Sequence, residues 1–133
     1  GERARAESLL GAVGATVWVG EEQLLDPVTA LSGSGPAYVF WFIEQLAASG
    51  VALGIPAEIA RKLALETVSG AAQLAARSAE PAAVLRERVT SKGGTTEAAL
   101  RVFDEERLAE RLRRALEAAS RRGAELGEQL GRD

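Results

Sequence analysis

Between Pro36 and Ser49 the chain carries Tyr38, Val39, Phe40, Trp41, Phe42, Ile43 and Leu46, in a stretch that opens on a proline and reads as one helix. Pro36 suits a first helical position, because its missing N–H would have found no partner inside the helix. A helix that is apolar on most faces must be covered from several sides, by a core or by another subunit. In 133 residues there is material for one domain with a core, but little to wrap such a helix completely. The segment therefore predicts a chain that associates as a dimer or larger.

The rest of the sequence from Leu24 onward is helical in character. Ala (26 residues) and Leu (17) lead, both strong helix formers, while aromatic residues make up only 5%. Asp26 is placed to cap a helix opening at Pro27, which Leu31-Ser-Gly-Ser-Gly35 interrupts before Pro36 restarts it. Gly54-Ile-Pro56 breaks the pattern, and a long helix to about Arg77 follows, with Ile59, Leu63, Val68 and Leu74 among its apolar positions. Its Gly70, Ala71, Ala72, Ala75 and Ala76 would let a neighbouring helix approach closely. Pro81 opens a short helix over Ala82 to Val89, Glu97 to Asp104 continues as helix, and a last helix spans about Glu106 to Leu126. Glu110 with Arg114 and Glu117 with Arg121 are acid-before-base pairs four residues apart, the mark of a solvated helix face.

The N-terminal stretch is different. Glu2 to Val13 has helical spacing at Ala6, Leu9, Leu10 and Val13 and stops at Gly14. Ala15-Thr-Val-Trp-Val19 then reads as a short strand between Gly14 and Gly20. Nothing later offers this strand a mate, so its backbone edges would stay unpaired. A helix followed by an orphan strand looks like the severed end of an α/β domain. The chain holds no Met and opens Gly1-Glu2, so it either lost an initiator or belongs to something longer.

Several chemistries are absent from the composition. With no Cys and no His there are no disulfides, thiol nucleophiles, imidazole bases or zinc sites built on nitrogen or sulfur, and no metal is expected. A formal net charge of −3 gives no footprint for nucleic acid. The longest apolar run, Ala37 to Ile43, falls far short of the ~20 residues that span a bilayer. With no signal peptide ahead of it, a cytoplasmic location without membrane or nucleic-acid partners is expected. Glu44, alone in the apolar helix, is read as a charge at a helix edge or subunit interface.

Two glycine segments could carry chemistry. In Leu31-Ser-Gly-Ser-Gly-Pro-Ala-Tyr38 the glycines allow backbone to approach a ligand, and the helix that follows aims its free amides at the segment. It is not the dinucleotide fingerprint, since no strand precedes it and the third glycine is missing. In Thr90-Ser-Lys-Gly-Gly-Thr-Thr-Glu97, two glycines and two threonines at a helix start offer amide donors and hydroxyls to a carboxylate or phosphate. It lacks the order of a nucleoside triphosphate loop, and Ser91 beside Lys92 has no oxyanion donors that would make it a hydrolase pair. Each segment by itself can equally be a plain helix cap.

Asp26-Pro-Val-Thr-Ala-Leu-Ser-Gly-Ser-Gly-Pro-Ala-Tyr38, Ala52-Leu-Gly-Ile-Pro56 and Val89-Thr-Ser-Lys-Gly-Gly-Thr-Thr96, in this order, resemble the pyrroline-5-carboxylate reductase family over nearly the whole chain. The resemblance implies the C-terminal part of a two-domain oxidoreductase that reduces 1-pyrroline-5-carboxylate to L-proline with NADPH or NADH. It implies an all-α, intertwined helical dimerisation and substrate-binding domain over residues 21–133. Residues 1–20 would be the remnant of a nucleotide-binding Rossmann domain, and dimers would often assemble into a decamer. Carried over residue by residue, Ser91, Gly93, Gly94, Thr95 and Thr96 would bind the substrate, with the Thr96 hydroxyl facing the ring nitrogen as the catalytic contact. Ser34 and Gly35 would touch the cofactor, which the missing domain chiefly holds, so this chain alone is expected to be inactive. Lys92 stands where the family usually has proline, and Ala79-Glu-Pro-Ala-Ala83 is one residue longer than usual, which leaves Glu80 without a match. A non-catalytic oligomerisation module, or a related dehydrogenase of imines or β-hydroxy acids, remains an alternative.

Overall fold

In the computed structural model residues 1–11 and 15–130 are described, and among them there is no strand. The first helix, α1, covers Glu2–Leu10; the expected extension to Val13 and the stop at Gly14 lie outside the described residues. Ala15 to Val19 do not form the expected strand. A strand is stabilised by a hydrogen-bonded neighbour, and none of the described segments supplies one. Trp18 of this segment is held by α1 instead, its indole N–H donating to Glu7 and its ring lying 4.6 Å beneath the Arg3 guanidinium.

A short 3₁₀ turn at Glu22–Leu24 leads into α2, Leu25–Val28, so Asp26 lies inside the helix and not at its cap. The expected interruption takes the form of a π-turn over Thr29–Gly33 and a bend at Ser34, after which α3, Gly35–Ala52, begins. The Gly33 backbone has no need of a left-handed conformation, and the only positive-φ glycines among the described residues are Gly54 and Gly93.

At Gly54 (φ +92) α3 does end. The Ile55 N–H returns to the Gly50 carbonyl at 3.0 Å and the Gly54 N–H to the Val51 carbonyl at 2.9 Å. This is the Schellman pattern, in which a left-handed glycine lets two late carbonyls find donors. Pro56 then caps α4, Ala57–Arg77, which folds back on α3. The two helices meet at small residues, with Ala47, Ala60 and Ala64 buried and the Ala60 Cβ 3.3 Å from where a Gly50 Cβ would stand. Small side chains let the backbones approach, at the expense of burying little apolar area.

Next come α5, Ala82–Arg88, and α6, Thr95–Glu105. Arg107 breaks the path with a left-handed φ of 54°, after which α7 covers Leu108–Leu130. Helix α7 packs on α2 and the π-turn, burying Ala30, and its Gly123 makes room for the Asp26 carboxylate. Glu110 and Glu117 do not pair with Arg114 and Arg121, the bases four residues on, as the spacing predicted. Glu110 pairs with Arg107 and Glu117 with Arg113, on a face that is exposed as expected. Rotamer reach, not spacing alone, selects the partner, and such exposed pairs add little stability.

Ala30, Ala47, Ala60 and Ala64 are the buried apolar residues among those described, while Phe40 (68% exposed) and Trp41 (58%) of α3 stand open. The accessible surface is 11012 Å², against about 6,700 Å² for a compact monomer of 14.0 kDa. No described helix is long and apolar enough to cross a membrane.

Candidate functional site

The second glycine segment is built by a turn and a helix start. After α5 the Thr90 hydroxyl donates to the Arg86 carbonyl at 2.6 Å and so finishes that helix. Ser91 to Gly94 then form a tight turn, closed by the Gly94 N–H on the Ser91 carbonyl at 3.0 Å. Gly93 occupies it at φ +72, where a side chain would be strained. Gly94 is the extended residue before α6, and a Cβ there would lie 2.5 Å from the Ser91 hydroxyl oxygen. Both glycines are thus required by local geometry.

Of the four amides expected to act as donors, two are already engaged. The Gly93 N–H donates to the Glu97 carboxylate at 2.6 Å and the Gly94 N–H to Ser91. Thr95 and Thr96 begin α6 with no side chain capping them, so their N–H groups face outward with the positive end of the helix dipole. The hydroxyls of Ser91, Thr95 and Thr96 make no hydrogen bond among the described residues and are free to meet a ligand.

Glu97 was not singled out by the sequence reading, although an acid three residues after a helix cap is a known pattern. It borders an open hollow of about 450 Å³ with Gly93, Gly94, Ala98 and Arg101. Gly94, Glu97, Ala98 and Arg101 share one face of α6 through their three- and four-residue spacing. Thr96 stands on another face, above Leu100 and Phe103, and is half-buried. The free amides of Thr95 and Thr96 emerge at the helix end between these two faces.

Ser34 and Gly35 stand at the start of α3, half-buried, with open space where a Gly35 Cβ would be. A dinucleotide takes the crevice at the carboxyl ends of parallel strands, and the described residues form no strand. Helix α6 packs on α7 and α3 on α4, and within one protomer no extensive packing joins α6 to α3. Among the described residues no cluster of acids fits a metal ion, and Glu44 is exposed on α3.

Residues 22–126 match the family model described as pyrroline-5-carboxylate reductase dimerisation. The chain belongs to this family. It is similar to the pyrroline-5-carboxylate reductase of Pseudomonas aeruginosa, with 48% identity over 127 residues, which is 96% of this chain and 46% of that protein. The Synechocystis enzyme is 47% identical over 124 residues, covering 93% of this chain and 46% of its own. Among solved structures, the pyrroline-5-carboxylate reductase of Coxiella burnetii superposes with a TM-score of 0.90 and 42% identity, over 94% of this chain and 46% of that one. The Plasmodium falciparum pyrroline carboxylate reductase, solved with NADP bound, gives a TM-score of 0.81 and 30% identity, over 91% and 48%. The chain thus spans about half the length of the relatives it matches. A pyrroline-5-carboxylate reductase dimerisation fold accounts for the all-helical architecture and for its uncovered apolar faces.

Proposed function

We propose that this chain is the dimerisation and substrate-binding part of an enzyme that reduces 1-pyrroline-5-carboxylate to L-proline. The observation that carries the reading is the family match over residues 22–126, joined by relatives of that name at 48% and 47% identity. In this reading residues 21–133 are the helical domain and 1–20 the end of a nucleotide-binding domain, working in the cytoplasm.

The free Thr95 and Thr96 amides, at the positive end of an 11-residue helix, suit the substrate carboxylate. Gly93 and Gly94 shape the turn that exposes them, and Ser91 lines it. The Thr96 hydroxyl, with no partner among the described residues, faces the ring nitrogen. A hydrogen bond or proton at that nitrogen relieves the negative charge that would otherwise build there as the imine carbon is reduced. When bound, reduced nicotinamide supplies the hydride. Ser34 and Gly35 contact its edge from the start of α3.

The uncovered surface supports self-association. The excess over a compact monomer, about 4,300 Å², exceeds one protomer's share of even a large obligate dimer interface, about 2,500 Å². That leaves area for a second copy and for another domain.

The test is to assay the full-length protein carrying this chain with pyrroline carboxylate and NADPH or NADH, and to weigh it by light scattering, which separates a dimer from a decamer. Thr96→Ala is expected to lower kcat/KM for the imine by about 10²-fold, the usual loss of one transition-state donor. Unchanged kinetics would remove Thr96 from the reaction.

A further inference from the structure

We infer that Tyr38 is a positioning residue whose hydroxyl sets the backbone register of the turn that carries Ser34 and Gly35. The inference rests on the reading of Ser34 and Gly35 as the cofactor-side contact. In a regular helix the Ser34 N–H would bond to the Ala30 carbonyl, four residues back. It bonds to Thr29 instead, at 2.9 Å. The π-turn over Thr29–Gly33 has slipped the backbone by one residue and taken the regular donor away from Ala30.

Ala30 is only 3% exposed, so water cannot readily replace that donor. A buried carbonyl left alone disfavours the conformation that strands it. The Tyr38 hydroxyl, two turns further along, donates to this carbonyl at 3.0 Å. The bond is available in the slipped register and redundant in the regular one, where Ser34 would answer Ala30. Tyr38 thereby favours the wide turn over a plain α-helix.

The choice of register matters because one residue corresponds to about 100° of rotation about the helix axis. Helix α2 is held on α7 through Asp26 beside Gly123, and the first part of the π-turn through buried Ala30. A return to the regular register would turn the start of α3, and with it Ser34 and Gly35, relative to that fixed side. Tyr38 need touch neither substrate nor cofactor to act.

The test is Tyr38→Phe, which keeps the ring and removes the hydroxyl, in the full-length protein. Losing one such hydrogen bond corresponds to about a three- to tenfold change. Without the hydroxyl the slipped and regular registers interconvert and each passage frees the Ser34 N–H, so its amide hydrogen exchange should accelerate by that factor while α4 amides keep their rates. KM for the reduced nicotinamide should rise by the same factor, with kcat changed less than twofold. Should Tyr38→Phe unfold the chain, Tyr38→4-aminophenylalanine, which keeps the ring and places an N–H donor where the hydroxyl stood, should restore folding with intermediate exchange; no restoration overturns the inference. A parental exchange rate at Ser34 overturns the register role, and faster exchange with unchanged KM overturns the positioning role. Absence of reductase activity in the parent protein counts against the proposed function, and the exchange measurement still decides the register.

Discussion

Phe40 offers the most direct measurement of how this domain is completed. It lies on α3 and is 68% exposed in a single protomer. A phenylalanine presents about 200 Å², so about 140 Å² is available to an apolar partner. At about 25 cal/mol per Å², Phe40→Ala removes roughly 2–3 kcal/mol per protomer after the retained methyl group is discounted. In an isologous dimer the substitution occurs twice, for about 4–6 kcal/mol, which raises the dissociation constant by about 10³- to 10⁴-fold.

Sedimentation equilibrium across nanomolar to micromolar concentrations reads this directly. The parent is expected to remain a dimer or larger throughout, and Phe40→Ala to dissociate within the range. Phe40 shares the stripe of Ala47, two turns earlier on α3, but it is 68% exposed while Ala47 is buried against Ala60 and Ala64 of α4, so unchanged helicity and melting of the variant are expected to show the α3–α4 contact kept. A parent that sediments as a stable monomer at micromolar concentration would refute the reasoning, and so would a variant that associates as tightly as the parent.

Gly93→Ala forces a side chain into a left-handed residue with open space around it. It should cost about 1–2 kcal/mol in denaturant titration, without the further loss a clash would bring. Arg107→Gly relieves the left-handed Arg107 between α6 and α7. It should gain about 1 kcal/mol in the same assay, since the exposed pair with Glu110 that it sacrifices contributes little. Gly70→Ala adds a methyl group on an open stretch of α4. It should weaken self-association in sedimentation despite a gain of about 1 kcal/mol in helix propensity; unchanged association would place that stretch outside the contact.

Helix identity was legible wherever a physical period or a strong stop was present. Gly54-Ile-Pro56 ends α3 because a left-handed glycine, two returning bonds and a proline all act at one place. Ser91 to Gly94 turns for a similar reason. The ends of α6 and α7 were less legible, since Arg107 adopts a backbone that its residue type gives no reason to expect. The strand at Ala15 to Val19 was a sound reading of side-chain preference, but a strand is a property of two segments and the described residues hold only one. In the candidate site the two glycines and the threonines were legible from type and spacing. The engagement of the Gly93 amide by Glu97 was visible only once the turn was built.

The segment Leu31 to Gly35 shows why glycine content alone misleads. Two glycines and two serines ahead of a proline read as a break, and the break is there as a π-turn and a bend at Ser34, but it owes nothing to a positive φ at Gly33 or Gly35. What changed was the hydrogen-bond partner of Ser34, moved by one residue, and the donor that compensates Ala30 lies on Tyr38, beyond the proline. A local reading counts the residues inside the segment, while the stability of a widened turn is settled by a hydroxyl outside it. Gly50 and Gly70 make the same point at the level of packing. Ala60 explains Gly50 within the protomer, but nothing within 4 Å explains Gly70, so its role is decided by the association measurement on Gly70→Ala.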